Sequence, residues 1–145
     1  MRLLTTHQDW IKQARELAKQ RDVSNVEFHV ASILNLEFEA DRFDVVHAHQ
    51  VLLHVGDPLT ALREMRRVAK LLVSSRDNTR RILVPALPAL VHQIQGFDDL
   101  LRSRGANPEF GEVNHIRAYE AGFEWDKMEM SSWRWEYSGR HGRDM

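Results

Sequence analysis

One stretch, Phe43 to Lys70, limits what this chain can become more than any other part of it. It reads FDVVHAHQVLLHVGDPLTALREMRRVAK. It opens with a short apolar run, Phe43 to Ala48, that holds two adjacent β-branched valines. Such a run suits a strand covered on both faces. Burial of Val45 and Val46 together is then worth about 3–6 kcal/mol, at about 1.5–3 each. The run ends in a polar tip, His49 and Gln50. After Val51–Val55 and Gly56 comes a helix start. Asp57 is a good N-cap, and Pro58 stands at the first helical position, where a missing N–H costs nothing. Leu59, Leu62, Met65 and Ala69 lie on one stripe, with Ala61 and Val68 beside it. Arg63, Arg66, Arg67 and Lys70 load the later turns with positive charge, which complements the helix dipole. Strand, polar tip, loop and capped helix make half of a parallel α/β unit. In open α/β sheets ligands bind just past the carboxyl ends of strands, so His49 and Gln50 are the first place to look for function.

The flanking sequence extends this pattern. Trp10 to Arg21 reads as an amphipathic helix with Trp10, Ala14 and Leu17 on one line, and Thr5 with Gln8 can form a capping box before it. Val26 to Val30 alternates, with Val26, Phe28 and Val30 on one face, as a strand does. Ala31 to Leu36 is its exit loop. Leu71 to Ser75 reads as another short buried strand. It follows Lys70 without the glycine or proline that normally ends a helix. Leu90, Ile94, Phe97 and Leu101 define a helix ending near Gly105, and Val113 to Ala121 a shorter one closed by Gly122. Met128 to Tyr137 is strand-like, with Met128 and Met130 on one face and Trp133, Trp135 and Tyr137 on the other. The slip at Ser131 and Ser132 predicts a bulge. Residues 1–137 therefore read as one domain and 138–145 as a polar tail.

Charge and composition exclude several functions. The net charge of −1 gives no field that would steer the chain to nucleic acid or to anionic lipid. There is no cysteine, hence no disulfide, no thiolate catalysis and no Cys-based zinc site. No apolar run approaches the roughly 20 residues of a membrane span, so a cytoplasmic protein is the default. His47 and His49 share a strand face near His54, but no acidic residue is placed to complete a metal site, and no metal is expected. The Arg63, Arg66, Arg67 and Lys70 cluster reads as a solvated helix face. Arg76 and Asp77 stand at a strand tip, where contact with substrate and a surface ion pair are equally open readings.

The order helix, strand, exit loop, strand, capped helix, strand resembles the class I methyltransferases that use S-adenosylmethionine, in particular the ubiquinone/menaquinone-biosynthesis type. The resemblance rests on Ala14 to Lys70, ARELAKQRDVSNVEFHVASILNLEFEADRFDVVHAHQVLLHVGDPLTALREMRRVAK. The later GANPEFGEVNHIRAYEAGF, Gly105 to Phe123, is similar to the family's distal region. The fold this implies is α/β, a Rossmann-like doubly wound sheet, incomplete because the first strands are missing. The cofactor implied is S-adenosylmethionine. In that family a polar and an apolar residue after the third strand hold the adenine, and Ser32 and Ile33 stand there. The tip of the fourth strand faces the methionine end, and His49 and Gln50 stand there. The resemblance implies methyl transfer to a nucleophile on a small-molecule acceptor, driven by positioning. It names no catalytic base.

The sequence departs from that family at three points. The family's glycine-rich turn lets backbone approach the cofactor, yet the first glycine of this chain is Gly56. The family's ribose-binding acid aligns near Thr5, whose surroundings do not read as a strand. A Pro-Gly-Gly turn is missing at Lys70 and Leu71. In the family's sheet the first strand lies between the second and the fourth, so its absence predicts that Val26–Val30 and Phe43–Ala48 lose pairing partners. The chain then reads as an internal piece of a methyltransferase, as a truncated gene model would give. The alternative is a non-catalytic remnant or partner that self-associates or pairs with an intact methyltransferase through open strand edges.

Overall fold

A computed structural model describes residues 1–6, 8–77 and 88–131. Four strands and four helices run in the order β1 (Arg2–Thr5), α1 (Gln8–Gln20), β2 (Glu27–Val30), β3 (Phe43–His49), α2 (Pro58–Val68), β4 (Ala69–Arg76), α3 (Pro88–Ser103) and α4 (Phe110–Glu120). Short 3-10 turns at Leu52–His54 and Trp125–Lys127 complete them. The strands form two separate parallel pairs, β1 with β2 and β3 with β4.

The first pair corrects two expectations. Residues around Thr5 do form a strand, and that strand gives β2 the partner it was expected to lack. Its register is pinned where Arg2 lies opposite Glu27, with an ion pair of 2.9 Å. The pairing continues past both ends, where Glu27 N–H donates to the Met1 carbonyl and Ala31 N–H to the Thr5 carbonyl. Helix α1 packs with Ile11 inward and Ala14 and Ala18 half-buried on the same line. The predicted Trp10, Ala14, Leu17 line is displaced by one position, and Trp10 and Leu17 are exposed. Arg15 ties the helix to β2 by donating to the Phe28 carbonyl at 2.8 Å.

In the second pair the helix start follows the sequence closely. The Asp57 carboxylate accepts the Thr60 N–H at 3.0 Å and the Thr60 hydroxyl at 2.7 Å, with Pro58 opening α2. Ala61, Leu62, Met65 and Val68 are buried. They pack with Ala48, Leu52, Leu53, Leu101, Ala106, Phe110 and Ala121 into the main core. The helix runs directly into β4, and Ala69 is both its C-cap and the first strand residue. The absent stop signal leaves a trace. Phe43 pairs with Ala69 but Val45 with Leu72, so β4 carries one residue too many where it leaves the helix. Such a bulge absorbs the length a linker would otherwise take up.

Among the described residues only one face of this sheet packs against the core. Val46 and Val73 pack against the core, while on the other face Val45 is 57 % and Leu72 54 % exposed. The expectation of burial fails at Val45, Leu71 and Leu72, whereas Val73, Ser74 and Ser75 are half-buried. Glycines close the later helices, Gly105 after α3 and Gly122 after α4, both at positive φ. Phe110, fully buried, opens α4 three residues before the predicted start. Met128–Met130 is not a strand, and Met130 is exposed. The predicted positions Trp133, Trp135 and Tyr137, the bulge at Ser132 and the tail 138–145 lie outside the described residues.

Candidate functional site

The sequence points to the carboxyl ends of β2 and β3. Ser32 and Ile33 follow β2 directly. Ser32 is exposed, and its hydroxyl oxygen accepts the Leu34 N–H at 3.2 Å, which folds the exit loop into a local turn. One lone pair and the O–H proton of Ser32 remain for another group. Ile33 is half-buried and packs on the core cluster that contains Ala48 and Leu52, so the loop after β2 leans on the end of β3. The result is a polar group beside an apolar one at a sheet edge.

His49 ends β3 opposite Arg76 and is exposed, with its ring 6.2 Å from that of His47. Gln50 sits at φ +56, a left-handed conformation rarely taken by a residue other than glycine. Its N–H donates to the Arg76 carbonyl at 2.7 Å. Backbone strain of this kind costs on the order of 1–3 kcal/mol and tends to occur at ligand-handling positions. The strand tip turns sharply there into the Leu52–His54 turn, and His54 is exposed on it.

Two features go beyond the sequence reading, which left Asp77 open between substrate contact and a surface ion pair. The first is a clamp on the exit loop. Arg67 donates to the carbonyls of Leu36 and Phe38, each at 2.7 Å, and pairs with Glu64, which accepts the Leu36 N–H at 2.7 Å. Arg67 therefore serves the loop that carries Ser32 and Ile33 as well as the solvated face. The hydrogen bond from Arg67 holds the Glu64 carboxyl below the usual range. The only sequence signal was the Glu–Arg spacing of three, common on any helix. The second is Asp77, just past β4. It accepts the Leu53 N–H at 3.3 Å, and its other oxygen is buried with no hydrogen-bond partner among the described residues. Burial pushes its carboxyl up, opposed in part by Leu52 and Leu53 N–H groups and the nearby His54 and His49. It pins the turn after β3 to the end of β4.

Two open concavities of about 500 and 480 Å3 lie elsewhere, one between α1 and β2 and one beside Arg66 and Ala121. Neither is lined by Ser32, Ile33, His49 or Gln50. Among the described residues no three His, Asp or Glu side chains converge as metal ligands, and no helix is long and apolar enough to cross a membrane.

Comparison with known proteins adds a family. A family model described as a methyltransferase domain matches residues 5–100, about two thirds of the chain. An uncharacterized methyltransferase of Schizosaccharomyces pombe is 44% identical over 55 residues, which is 38% of this chain and 20% of that protein. A putative methyltransferase from Bacillus halodurans superposes with a TM-score of 0.66 over 85% of this chain and 52% of its own, at 19% identity. A putative methyltransferase from Haloferax volcanii, solved in complex with a methyltransferase activator, gives a TM-score of 0.65 over 83% of this chain and 49% of that chain, at 19% identity. The fold is thus Rossmann-like, and the chain spans about one fifth of the curated relative and about half of these solved structures.

Proposed function

The chain belongs to the methyltransferase-domain family, and from that premise we propose that it serves S-adenosylmethionine-dependent methyl transfer to a small-molecule acceptor. In this reading Ser32 and Ile33 hold the adenine, and His49 and Gln50 face the methionine end. The observation that carries it is the strained Gln50 at the carboxyl end of β3, together with the polar–apolar pair Ser32 and Ile33 that opens the exit loop of β2, Ile33 packing on the core cluster that holds Ala48. Bound there, S-adenosylmethionine supplies an electrophilic methyl group. The residues of this chain orient and shield. Ile33 offers an apolar floor, the Arg67–Glu64 clamp fixes the loop above it, and Asp77 fixes the turn beyond His49. Such positioning supplies much of the barrier lowering in a displacement reaction. The ubiquinone/menaquinone-type kinship and a cytoplasmic setting belong to the same proposal.

A second reading has an observation of its own. The first glycine is Gly56, so no glycine-bearing turn precedes β3 to let backbone approach the sulfonium end. In that reading the chain works through pairing with an intact methyltransferase and does not transfer methyl groups itself. Nuclear magnetic resonance with S-adenosylhomocysteine separates the two. The first reading predicts saturable amide shifts confined to residues 31–36 and 48–54. Absence of shifts, or shifts confined to the α1–β2 concavity around Arg15 and Phe28, overturns it.

A further inference from the structure

Three rings meet near the end of α4. His115 and Tyr119 stand one turn apart on the same helix face, and both reach Trp125 in the 3-10 turn that follows. The Tyr119 and Trp125 ring centres are 6.1 Å apart with their planes at 83°. Those of His115 and Trp125 are 5.9 Å apart at 66°. Tyr119 is 59 % and Trp125 54 % exposed, so these faces are left to water. Two nearly perpendicular rings make a corner. A flat group lies on only one of its faces, whereas a compact, rounded group touches both. The face of an aromatic ring carries the negative part of its quadrupole and attracts cations, tryptophan most strongly. The surrounding charge has the same sign. From Glu109 to Glu129 there are six acids and two bases, a net charge of −4 in a chain of −1. Exposed acids flank the rings in sequence, Glu120 after Tyr119 and Glu124 and Asp126 on either side of Trp125. Both bases are engaged inside the stretch, Arg117 with Glu120 at 2.6 Å and Lys127 with Glu124 at 2.8 Å. Glu109 reaches back to Arg102 at 3.4 Å.

We propose that the Tyr119–Trp125 corner, backed by His115, is a docking site for a basic segment of a second protein that seats one methylated lysine between the rings. The inference rests on ring geometry and local charge and is independent of the methyl-transfer reading. The methylated form follows from what the corner offers. A bare ammonium carries three N–H donors and needs acceptors for them, which ring faces do not supply in full. A methylated ammonium is rounder, gives up less water and keeps its charge, so it fills both faces at once. The acidic stretch runs over 21 residues, more than one small cation needs. That breadth suits further lysines or arginines on either side of the anchor, drawn in by complementary charge.

The test uses the 145-residue chain and a basic peptide in three versions. The central residue is trimethyllysine, lysine, or the uncharged analogue in which a tert-butyl group replaces the trimethylammonium. Calorimetry gives the affinities, and nuclear magnetic resonance follows the indole N–H of Trp125, assigned with Trp125→Phe. The proposal predicts that the trimethyllysine peptide binds one-to-one, about fivefold more tightly than the uncharged analogue and more tightly than the lysine form. Trp125→Ala and Tyr119→Ala should each abolish that preference, and Tyr119→Phe should keep it. Both rings are more than half exposed, so an unchanged urea midpoint checks that the variants stay folded. Equal binding of the uncharged analogue reduces the corner to an apolar patch and overturns the proposal. So does a preference that survives Trp125→Ala, or the absence of any shift at the Trp125 indole. Choline alone binding as tightly as the peptide overturns it as well, because a small molecule would then be the occupant.

Discussion

Met65 and Val45 make a controlled pair for the claim that, among the described residues, the β3–β4 sheet packs against the core on one face only. Met65 is 1 % exposed within the main core, and Val45 is 57 % exposed on the opposite side of the sheet. Truncating Met65 to Ala removes buried atoms and leaves a cavity, which costs about 2–5 kcal/mol. Full burial of a valine is worth about 1.5–3 kcal/mol, and Val45 keeps more than half of its surface in water. Val45→Ala should therefore cost about 1 kcal/mol or less, counting a small loss of strand preference. Urea unfolding monitored by circular dichroism measures both variants, with the slope of the transition checked for constancy so that the midpoint reports stability. Equal losses for the two variants would refute the open face and imply that something covers Val45 in solution.

Glu64→Gln should loosen the exit loop and speed amide exchange at Leu36 and Phe38, at a cost on the order of 1–3 kcal/mol for the charge-assisted bonds lost. The Glu64 carboxyl is depressed when folded, so its contribution is present above the ordinary value of 4.5 and fades as pH falls through the folded value; the Gln variant should lack that acid-side loss. Asp77 behaves in the opposite sense. Burial raises its carboxyl above the ordinary 3.8, so the folded state binds the proton more tightly and stability falls as pH rises from 3.8 through the folded value. Asp77→Asn should flatten that slope in pH-dependent denaturation, and a slope equal to the parent's would count against a buried carboxyl there.

How much of this was legible in the sequence depended on whether a signal was local. Asp57 and Pro58 start α2 as read, and Leu62 and Met65 of the predicted stripe are buried with Ala61 and Val68 beside them, but Leu59 is only half-buried, and Ala69 and Lys70, read as the helix end, open β4. Gly105 and Gly122 end α3 and α4 because both positions need positive φ. The missing stop signal at Lys70 goes with a helix that passes into a strand without a linker, two residues earlier than the sequence places it. Burial was less legible. Paired valines suit a central strand, but whether Val45 is covered depends on elements far along the chain. Strand β1 went unread because its four residues are too few to show a period, and their pairing with Glu27–Val30 is visible only once β2 is in place. The clamp by Arg67 and the bond from Leu53 to Asp77 join residues about 25–30 positions apart, and no local spacing marks them. Ser32 and Ile33 were reached through family resemblance and His49 and Gln50 first as the polar tip of a strand, while the unusual φ of Gln50 is a property of the folded tip alone.

The division of the sheet is tested most directly by native-state amide exchange along β3 and β1 in the chain alone. In a parallel ladder successive N–H groups point to opposite neighbours, so a strand bonded on one edge protects only every second amide. Alternating fast and slow exchange from Val45 to His49, and from Leu3 to Thr5, is the expected pattern. Uninterrupted protection along either strand at low protein concentration would show that both of its edges are already bonded, and the two-part sheet described here would be wrong.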